Sequence, residues 1–210
     1  MPDLGSHETR GSYHTIALEV AGPVAMFTRP DTGATPISYP VPTYSAAKGM
    51  FEAVLRRTNI YIRPTRVEIC KPIRYERYIT NYGGPLRKHA QITGNNNYQL
   101  IATILVDVHY RIYAEVKEKR RSGQRKTDYA GEFKKEFDRR LKNGQTFYTP
   151  CLGWKEFVPS YVGPIRPETK PDENVKMTIS SLLHSMWERH KLRPTFQQNV
   201  EVEAGVMFYE

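Results

Sequence analysis

The chain has 210 residues, of which 39% are hydrophobic and 25% are charged. This composition excludes a disordered chain and is typical of a globular protein with a buried core. The formal net charge is +9, and a protein this basic is expected to bind a polyanion, nucleic acid before any other. No apolar run approaches the roughly 20 residues that cross a bilayer, so no membrane partner is expected.

The two cysteines, Cys70 and Cys151, lie far apart and have no companion ligand at the spacing of a metal site. Neither a zinc site nor a disulfide framework is therefore predicted, and a reducing, cytoplasmic setting is the simplest expectation. We predict no metal and no cofactor. Residues 1–12 lack the apolar stretch of a signal peptide and are expected to be a disordered lead.

The first predicted strand covers residues 13–20, where apolar and polar side chains alternate, and it should end at residues 22–23, Gly-Pro. A loop rich in Gly, Pro, Thr and Ser follows over residues 29–42. Thr43 or Ser45 can then cap a first helix. The apolar stripe of this helix consists of Ala47, Met50, Phe51, Val54 and Leu55.

The middle of the chain is rich in strand patterns. Residues 59–71 predict two short strands separated by Pro64, and residues 73–79 predict another. A long alternating pattern over residues 100–116 predicts an extended strand with His109 on its polar face, where a structural role is expected.

The most charged segment is residues 117–126, which leads into a second predicted helix capped by Asp128 and ended by Gly144. Residues 177–189 fit a strand or a helix equally well, and residues 199–208 predict a last strand. The order of elements predicts an α+β protein with a ferredoxin-like βαββαβ core and extra β-hairpins.

Aromatic residues are interleaved with the basic segments between residue 110 and residue 161, an arrangement that suits single-stranded RNA. Lysine and arginine neutralise phosphates, and aromatic rings stack on unpaired bases. The alternative is a solvated charged loop beside ordinary core aromatics.

Nuclease chemistry that uses metal ions needs clustered carboxylates, whereas the acids here are scattered among bases. Metal-free RNA cleavage needs only a group that activates the 2′-hydroxyl and an acid for the leaving oxygen. His89 lies in a basic, polar segment and is a candidate for such a role.

Four blocks carry a resemblance to a known family: GPVAMFTRPD, SYPVPTYSAAKGMFEAV, VEICKPI and FDRRLKNGQTFYTPCLGWKEF. In this order they resemble the CRISPR-associated Cas-five family, the d-type of subtype I-C systems. The resemblance implies a RAMP-type, RRM-like fold over residues 13–160 and a small C-terminal β region over residues 161–210. It also implies binding of the repeat-derived 5′ handle of CRISPR RNA inside a Cascade surveillance complex.

Many family members also cut the precursor RNA without metal, with a Tyr or His at the end of the first helix and a Lys-His pair opening the second. The alignment places Leu55 at the first position and Glu132 and Phe133 at the pair. Leucine and phenylalanine cannot transfer protons. The remaining candidates for rewired catalysis are Lys134, Lys135, Tyr129 and His89.

RNA contacts are expected from the loop, the first helix, the basic run and the second helix. The predicted RNA-binding residues are Arg29, Tyr39, Tyr44, Lys48, Lys119, Arg120, Arg121, Arg125, Lys126, Arg139 and Arg140.

Two hypotheses about activity follow, and a third class stays open. In the first, the protein is a non-cutting Cascade subunit that binds CRISPR RNA and contacts the backbone and large subunits. In the second, it is a metal-independent endoribonuclease that processes the precursor RNA with rewired residues. The third is an unrelated basic nucleic-acid-binding protein. Whether duplex DNA is a further ligand is left open.

Overall fold

The computed structural model describes residues 13–82, 98–119, 128–188 and 191–210. Within these ranges the chain forms two helices and eight strands. They are β1 (His14–Ala25), α1 (Tyr44–Val54), β2 (Ile60–Ile69), β3 (Tyr75–Tyr82), β4 (Tyr98–Glu118), α2 (Tyr129–Lys142), β5 (Tyr161–Gly163), β6 (Met177–Glu188), β7 (Lys191–Glu203) and β8 (Val206–Phe208).

The described strands form one antiparallel sheet in the order β5-β1-β4-β2-β8-β7-β6, with β3 also paired to β4. β4 is 21 residues long and pairs with β1, β2 and β3. The α+β class predicted from the sequence is confirmed. The predicted boundary between residues 160 and 161 stays a prediction. β5 and β8, which follow it, hydrogen-bond to β1 and β2 in the same sheet.

Two strands run through prolines that were expected to interrupt them. β1 continues to Ala25 because its ladder with β4 passes over Pro23, with Gly22 opposite Val108 and Val24 opposite Val106. A proline that is not required to donate a ladder bond can stay within a strand. β2 is likewise one strand. It continues past Pro64 because a bulge just after that residue shifts its register against β4.

The C-terminal third contains more strands than predicted. The short β5 was missed, and residues 177–189, which fitted either type of element, form β6 up to Glu188. The expected single last strand is a hairpin: β7 ends at Glu203, Gly205 adopts a φ of +75° in the turn, and β8 returns. Strand formation in this region depends on pairing with segments that are distant in the sequence, such as β1 and β2. A local periodic pattern carries no information about that pairing.

Both helices pack against the sheet through apolar stripes, α1 through the stripe predicted from the sequence. Thr43 caps α1 by accepting a hydrogen bond from the Ala46 N–H at 3.2 Å. The rings of Phe51 in α1 and Phe137 in α2 lie 5.8 Å apart and join the helices over the core. Neither helix has the length and apolarity of a membrane-spanning segment.

A kink in β4 divides the strand between two neighbours. Asp107 has a φ of +52°, a left-handed conformation that is uncommon for a residue other than glycine. Its carboxylate accepts hydrogen bonds from Lys71 Nζ and Arg74 Nη2, each at 2.6 Å. These bonds hold the connection between β2 and β3 against β4. The bonds from Lys71 and Arg74 also lower the pKa of Asp107.

Glu19 on β1 is a fully buried carboxylate on the sheet face opposite the helices. It accepts hydrogen bonds from the Arg166 backbone N–H at 2.8 Å, from Arg166 Nε at 2.7 Å and from Thr169 Oγ1 at 3.1 Å, and it pairs with His109 Nε2 at 2.8 Å. Burial opposes its ionisation, but these bonds outweigh burial and lower its pKa. His109 therefore has the structural role that its strand position predicted.

We expect Glu19→Gln to lower the free energy of unfolding by about 1–3 kcal/mol, because an amide replaces a fully buried carboxylate that accepts hydrogen bonds from Arg166 and Thr169 and pairs with His109. Urea denaturation at pH 7 measures this loss. The matched control is Glu203→Gln, since Glu203 is 70% exposed and pairs with Lys176 only at 4.0 Å. The control should change stability by less than about 0.5 kcal/mol. Equal effects of the two substitutions would contradict the role of Glu19.

Candidate nucleic-acid interface

The outer face of α2 is the most basic surface of a regular element in the described chain. Its apolar residues, among them Phe133 and Phe137, are buried. Asp128 caps the helix by accepting a hydrogen bond from the Gly131 N–H at 2.9 Å, and this bond is the main reason that the pKa of Asp128 is lowered. The basic residues of the outer face are Lys134, Lys135, Arg139, Arg140 and Lys142.

Acidic residues on the same helix already form ion pairs with some of these basic residues. Glu136 Oε1 accepts hydrogen bonds from Arg139 Nη2 and from Arg140 Nε, each at 2.8 Å. These bonds, that from Arg139 first, lower the pKa of Glu136 to about 2. Lys134 pairs with Asp138 at 2.9 Å. Lys135 is exposed and forms no ion pair with any described residue, so its charge is available to a phosphate.

An exposed pair of aromatic rings follows α2. Phe147 and Tyr148 are 59% and 42% exposed, and their rings meet edge to face at 5.8 Å. Both backbone N–H groups donate to the Ala53 carbonyl of α1, at 2.7 and 3.2 Å, and the Tyr148 hydroxyl donates to the Gly49 carbonyl. The aromatic pair is thus fixed to α1 by its backbone while its rings face solvent.

A positive charge lies near this aromatic pair, and another precedes it closely in the sequence. Arg56, just beyond α1, is exposed and lies near enough to Tyr148 for its charge to counter the rise in the phenol's pKa, which burial and Glu52 cause. Lys142 ends α2 five residues before Phe147. Exposed rings bordered by cations can stack unpaired bases while the cations neutralise the backbone.

A groove of about 480 Å³ opens between the start of β1 and the start of α2. It is lined by His14, Asp128, Gly131, Glu132, Lys134, Lys135 and Asp138. His14 Nε2 lies 3.3 Å from Asp128 Oδ1, and 27% of the His14 side chain is exposed. A histidine beside a carboxylate, with lysines across the groove, has the groups that acid–base chemistry on a phosphodiester requires.

Two of the predicted RNA-binding rings are buried. Tyr39 is 2% exposed, and Tyr44 is 8% exposed and stacks on His184 with centroids 4.3 Å apart. Neither side chain has an open ring face in this structure, and RNA contact by these two residues stays a prediction. Arg29 is exposed but paired with Asp31 at 2.7 Å, and Lys48 pairs with Glu52 at 3.7 Å.

The other predicted site residues divide into described and undescribed positions. Lys119 is exposed directly after β4, and Tyr129 is half-buried in the first turn of α2. The structure brings Lys134 and Lys135 into the groove. His89, Arg120, Arg121, Arg125 and Lys126 lie outside the described residues.

Two of the three positions that the family resemblance marks for catalysis lie in the core. Leu55 is 6% exposed and Phe133 is fully buried, both in the core, while Glu132 faces the groove. Sequence reasoning missed His14 as a groove residue. Its position before the first apolar residue of β1 signals a strand start, but only the sheet register and the α2 cap bring it to Asp128.

Comparison with known proteins places the chain among CRISPR-associated proteins. A family model described as CRISPR-associated protein (Cas_Cas5), of the Cas5d type, matches residues 15–208. A protein of Thermus thermophilus named CRISPR pre-crRNA endoribonuclease Cas5d is 29% identical over 81% of this chain and 72% of its own length. A protein of the same name from Mannheimia succiniciproducens is 30% identical over 83% of this chain and 80% of its own length.

A solved structure shares the fold. The crystal structure of a CRISPR-associated protein superposes with a TM-score of 0.73 at 19% identity, over 96% of this chain and 94% of that chain. At this identity the likeness concerns the fold alone, and it agrees with the RAMP-type fold that the sequence blocks implied.

We expect Phe147→Ala combined with Tyr148→Ala to weaken binding of single-stranded RNA. Loss of one stacked base costs about 1–3 kcal/mol, which is roughly a 5- to 150-fold rise in Kd. Fluorescence anisotropy with a labelled RNA measures the change. The matched control is Phe208→Ala, because Phe208 is 61% exposed on β8, away from α2. An unchanged Kd in the double variant would exclude the aromatic pair from the RNA site.

Proposed function

We propose, since this chain belongs to the Cas5d family of CRISPR-associated proteins, that it binds the repeat-derived 5′ handle of CRISPR RNA as a subunit of a Cascade surveillance complex. The observation that carries the proposal is the exposed aromatic pair Phe147–Tyr148 between the basic face of α2 and Arg56. This surface combines base stacking with phosphate neutralisation, and RNA recognition needs both.

The charge of the whole chain supports an RNA ligand. The net charge of +9 attracts a polyanion from a distance, and the α2 face concentrates positive charge beside the rings. Arg139 and Arg140 would exchange Glu136 for RNA phosphates on binding. Lys119 places a further cation at the end of β4, beside the groove-forming start of α2.

Partner subunits belong to the same proposal. Leu192 and Phe196 on β7 are 64% and 40% exposed, and apolar side chains presented on a strand suit contact with another protein. We assign this strand to contacts within the complex, with the backbone and large subunits as the expected partners. The proposal also includes a cytoplasmic setting for the complex and leaves duplex DNA as a further ligand. The RNA interface depends on neither.

A second candidate function is metal-independent cutting of the precursor RNA. The two relatives are named as pre-crRNA endoribonucleases, and the groove between β1 and α2 presents His14, Asp128 and Lys135 on one surface. Among the described residues, no group of three or more His, Cys, Asp or Glu side chains has the geometry to hold a metal ion. The groove is the observation that supports this second function.

The binding test uses a CRISPR repeat RNA, in chelator, over a range of salt concentrations. We expect log K to fall steeply and linearly with log salt, with a slope of about −0.7 per neutralised phosphate of single-stranded RNA. Lys135→Ala with Lys142→Ala should make the slope less steep by about 1.4. Neutralising Lys119, Arg120 and Arg121 should likewise weaken binding.

The matched control is Lys170→Ala with Lys176→Ala, which removes two exposed lysines away from α2. The control should leave the slope nearly unchanged. If both double variants alter the slope equally, binding is a property of net charge and the α2 face is not the RNA site. No binding of repeat RNA at low salt would reject the proposed function altogether.

A further inference from the structure

We infer that Tyr13, Lys117 and Tyr61 form a second contact surface for single-stranded RNA, on the sheet face opposite the helices. The inference rests on the proposed binding of CRISPR RNA and adds a base-stacking site to it. None of the three residues belongs to α2, to the groove between β1 and α2 or to the aromatic pair that follows α2.

The three side chains lie in one row across three neighbouring strands. Tyr61 of β2 is opposite Lys117 of β4, and the pairing of His14 with Val116 puts Tyr13 opposite Lys117 on its other side. Residues opposite one another in an antiparallel sheet share a face. Val116 is fully buried in the core, so alternation along β4 turns this tyrosine–lysine row to the opposite face. Strand spacing places the two tyrosine Cα atoms about 10 Å apart.

Both tyrosine rings of the row are open to solvent and are held by their hydroxyl groups. Tyr13 is 51% exposed and Tyr61 is 39% exposed. Lys117 Nζ donates to the Tyr13 hydroxyl at 3.1 Å, and the Tyr61 hydroxyl lies 3.1 Å from the Tyr44 hydroxyl. These bonds restrain each ring from its polar end before a ligand arrives, which lowers the entropic cost of stacking a base on it.

Positive charge accompanies the tyrosine–lysine row. Lys117, Lys119 and Arg57 are exposed, and none of them forms an ion pair within the part of the chain that the structure describes. Lys48 Nζ of α1 lies 5.4 Å from the centroid of the Tyr61 ring. Cations beside exposed rings can neutralise the phosphates of a strand whose unpaired bases stack on those rings.

The carboxylate next to the row is already paired. Glu115 Oε2 accepts a hydrogen bond from Arg63 Nη2 at 2.8 Å, two residues along the same sheet face. This bond is the main reason that the pKa of Arg63 is raised, and Tyr13 is near enough to contribute. The charge of Glu115 is thus balanced and the surface stays basic. RNA suits it better than a partner protein, because lysine is depleted in the cores of protein interfaces.

The row lies at the same end of the sheet as the start of α2. Tyr13 directly precedes His14, whose Nε2 lies 3.3 Å from the α2 cap Asp128. Lys119 follows β4 at this end. An RNA strand that runs along α2 can therefore pass the start of β1 and reach the row on the other face. The two surfaces would then contact consecutive parts of one RNA molecule.

The test measures the Kd of the full-length protein for a CRISPR repeat RNA by fluorescence anisotropy. Tyr13→Ala with Tyr61→Ala should raise Kd by at least about 5-fold, the lower limit for loss of one stacked base. Tyr13→Phe with Tyr61→Phe keeps both rings and should bind like the wild-type protein. Phe208→Ala removes an exposed ring on β8, outside the row, and should also bind like the wild-type protein. Tyr13→Ala alone decides the test if Tyr61→Ala fails to fold, since Tyr13 precedes β1.

Shortening the repeat RNA from each end in turn locates the contact. From one end, the wild-type protein and Tyr13→Ala with Tyr61→Ala should converge to the same Kd, because the shorter RNA no longer reaches the row. Phe147→Ala with Tyr148→Ala should still weaken binding of that shorter RNA. A Kd ratio that is the same at every length would place the row and the aromatic pair in one site and would contradict a second surface.

The outcomes separate the inference from the proposed function. If Tyr13→Ala with Tyr61→Ala binds repeat RNA with the wild-type Kd, the row is not an RNA contact and the inference is wrong, even if a protein subunit binds there. If the phenylalanine variants lose as much affinity as the alanine variants, stacking is not the cause and the inference is again wrong. The proposed function stands in both cases if the wild-type protein binds. If the wild-type protein does not bind repeat RNA, the proposed function fails and the inference fails with it.

Discussion

The register between β1 and β4 is the constraint on which the other features depend. His14 lies opposite Val116, and the pairing runs without a slip to Ala25 opposite Leu105. A shift by one residue would move Ile16, Leu18 and Val20 out of the core and Glu19 into it. The register therefore fixes the buried carboxylate on one face of the sheet and the helix-covered core on the other.

The same register also positions the proposed RNA-binding surface. Because β1 begins where β4 ends, and the segment after β4 leads into α2, the first residue of β1 lies beside the helix cap Asp128. α2 then crosses the sheet with its basic face outward, and the aromatic pair Phe147–Tyr148 returns to α1. Internal ion pairs with Glu136 hold Arg139 and Arg140 in place on α2. The proposed RNA surface is thus held in shape before any RNA binds, which would lower the entropic cost of binding.

Much of the fold was predictable because its information is local. The stripe from Ala47 to Leu55 and the caps at Thr43 and Asp128 sit in short windows, and both helices were found. The bulge after Pro64 depends on pairing with β4, far along the chain, so it was not. The hairpin turn at Gly205 is local, but the strand pattern of residues 199–208 continues through it and concealed it.

The site was predicted only in part for the same reason. The basic residues of α2 were visible as a charge pattern, whereas the burial of Tyr39 and Tyr44 is set by tertiary packing and was not visible. His14 and Asp128 are separated by 114 residues and meet only in the folded chain. No local signal could have joined them.

Cross-linking to a base-substituted RNA tests the central claim that RNA lies along α2 and the aromatic pair. Repeat RNA carrying 4-thiouridine in its 5′ handle is irradiated with the full-length protein, and the linked peptides are identified by mass spectrometry. The account predicts links within residues 128–148, with Phe147 or Tyr148 among the modified side chains. Links confined to β6, β7 and β8, with none in residues 128–148, would contradict it.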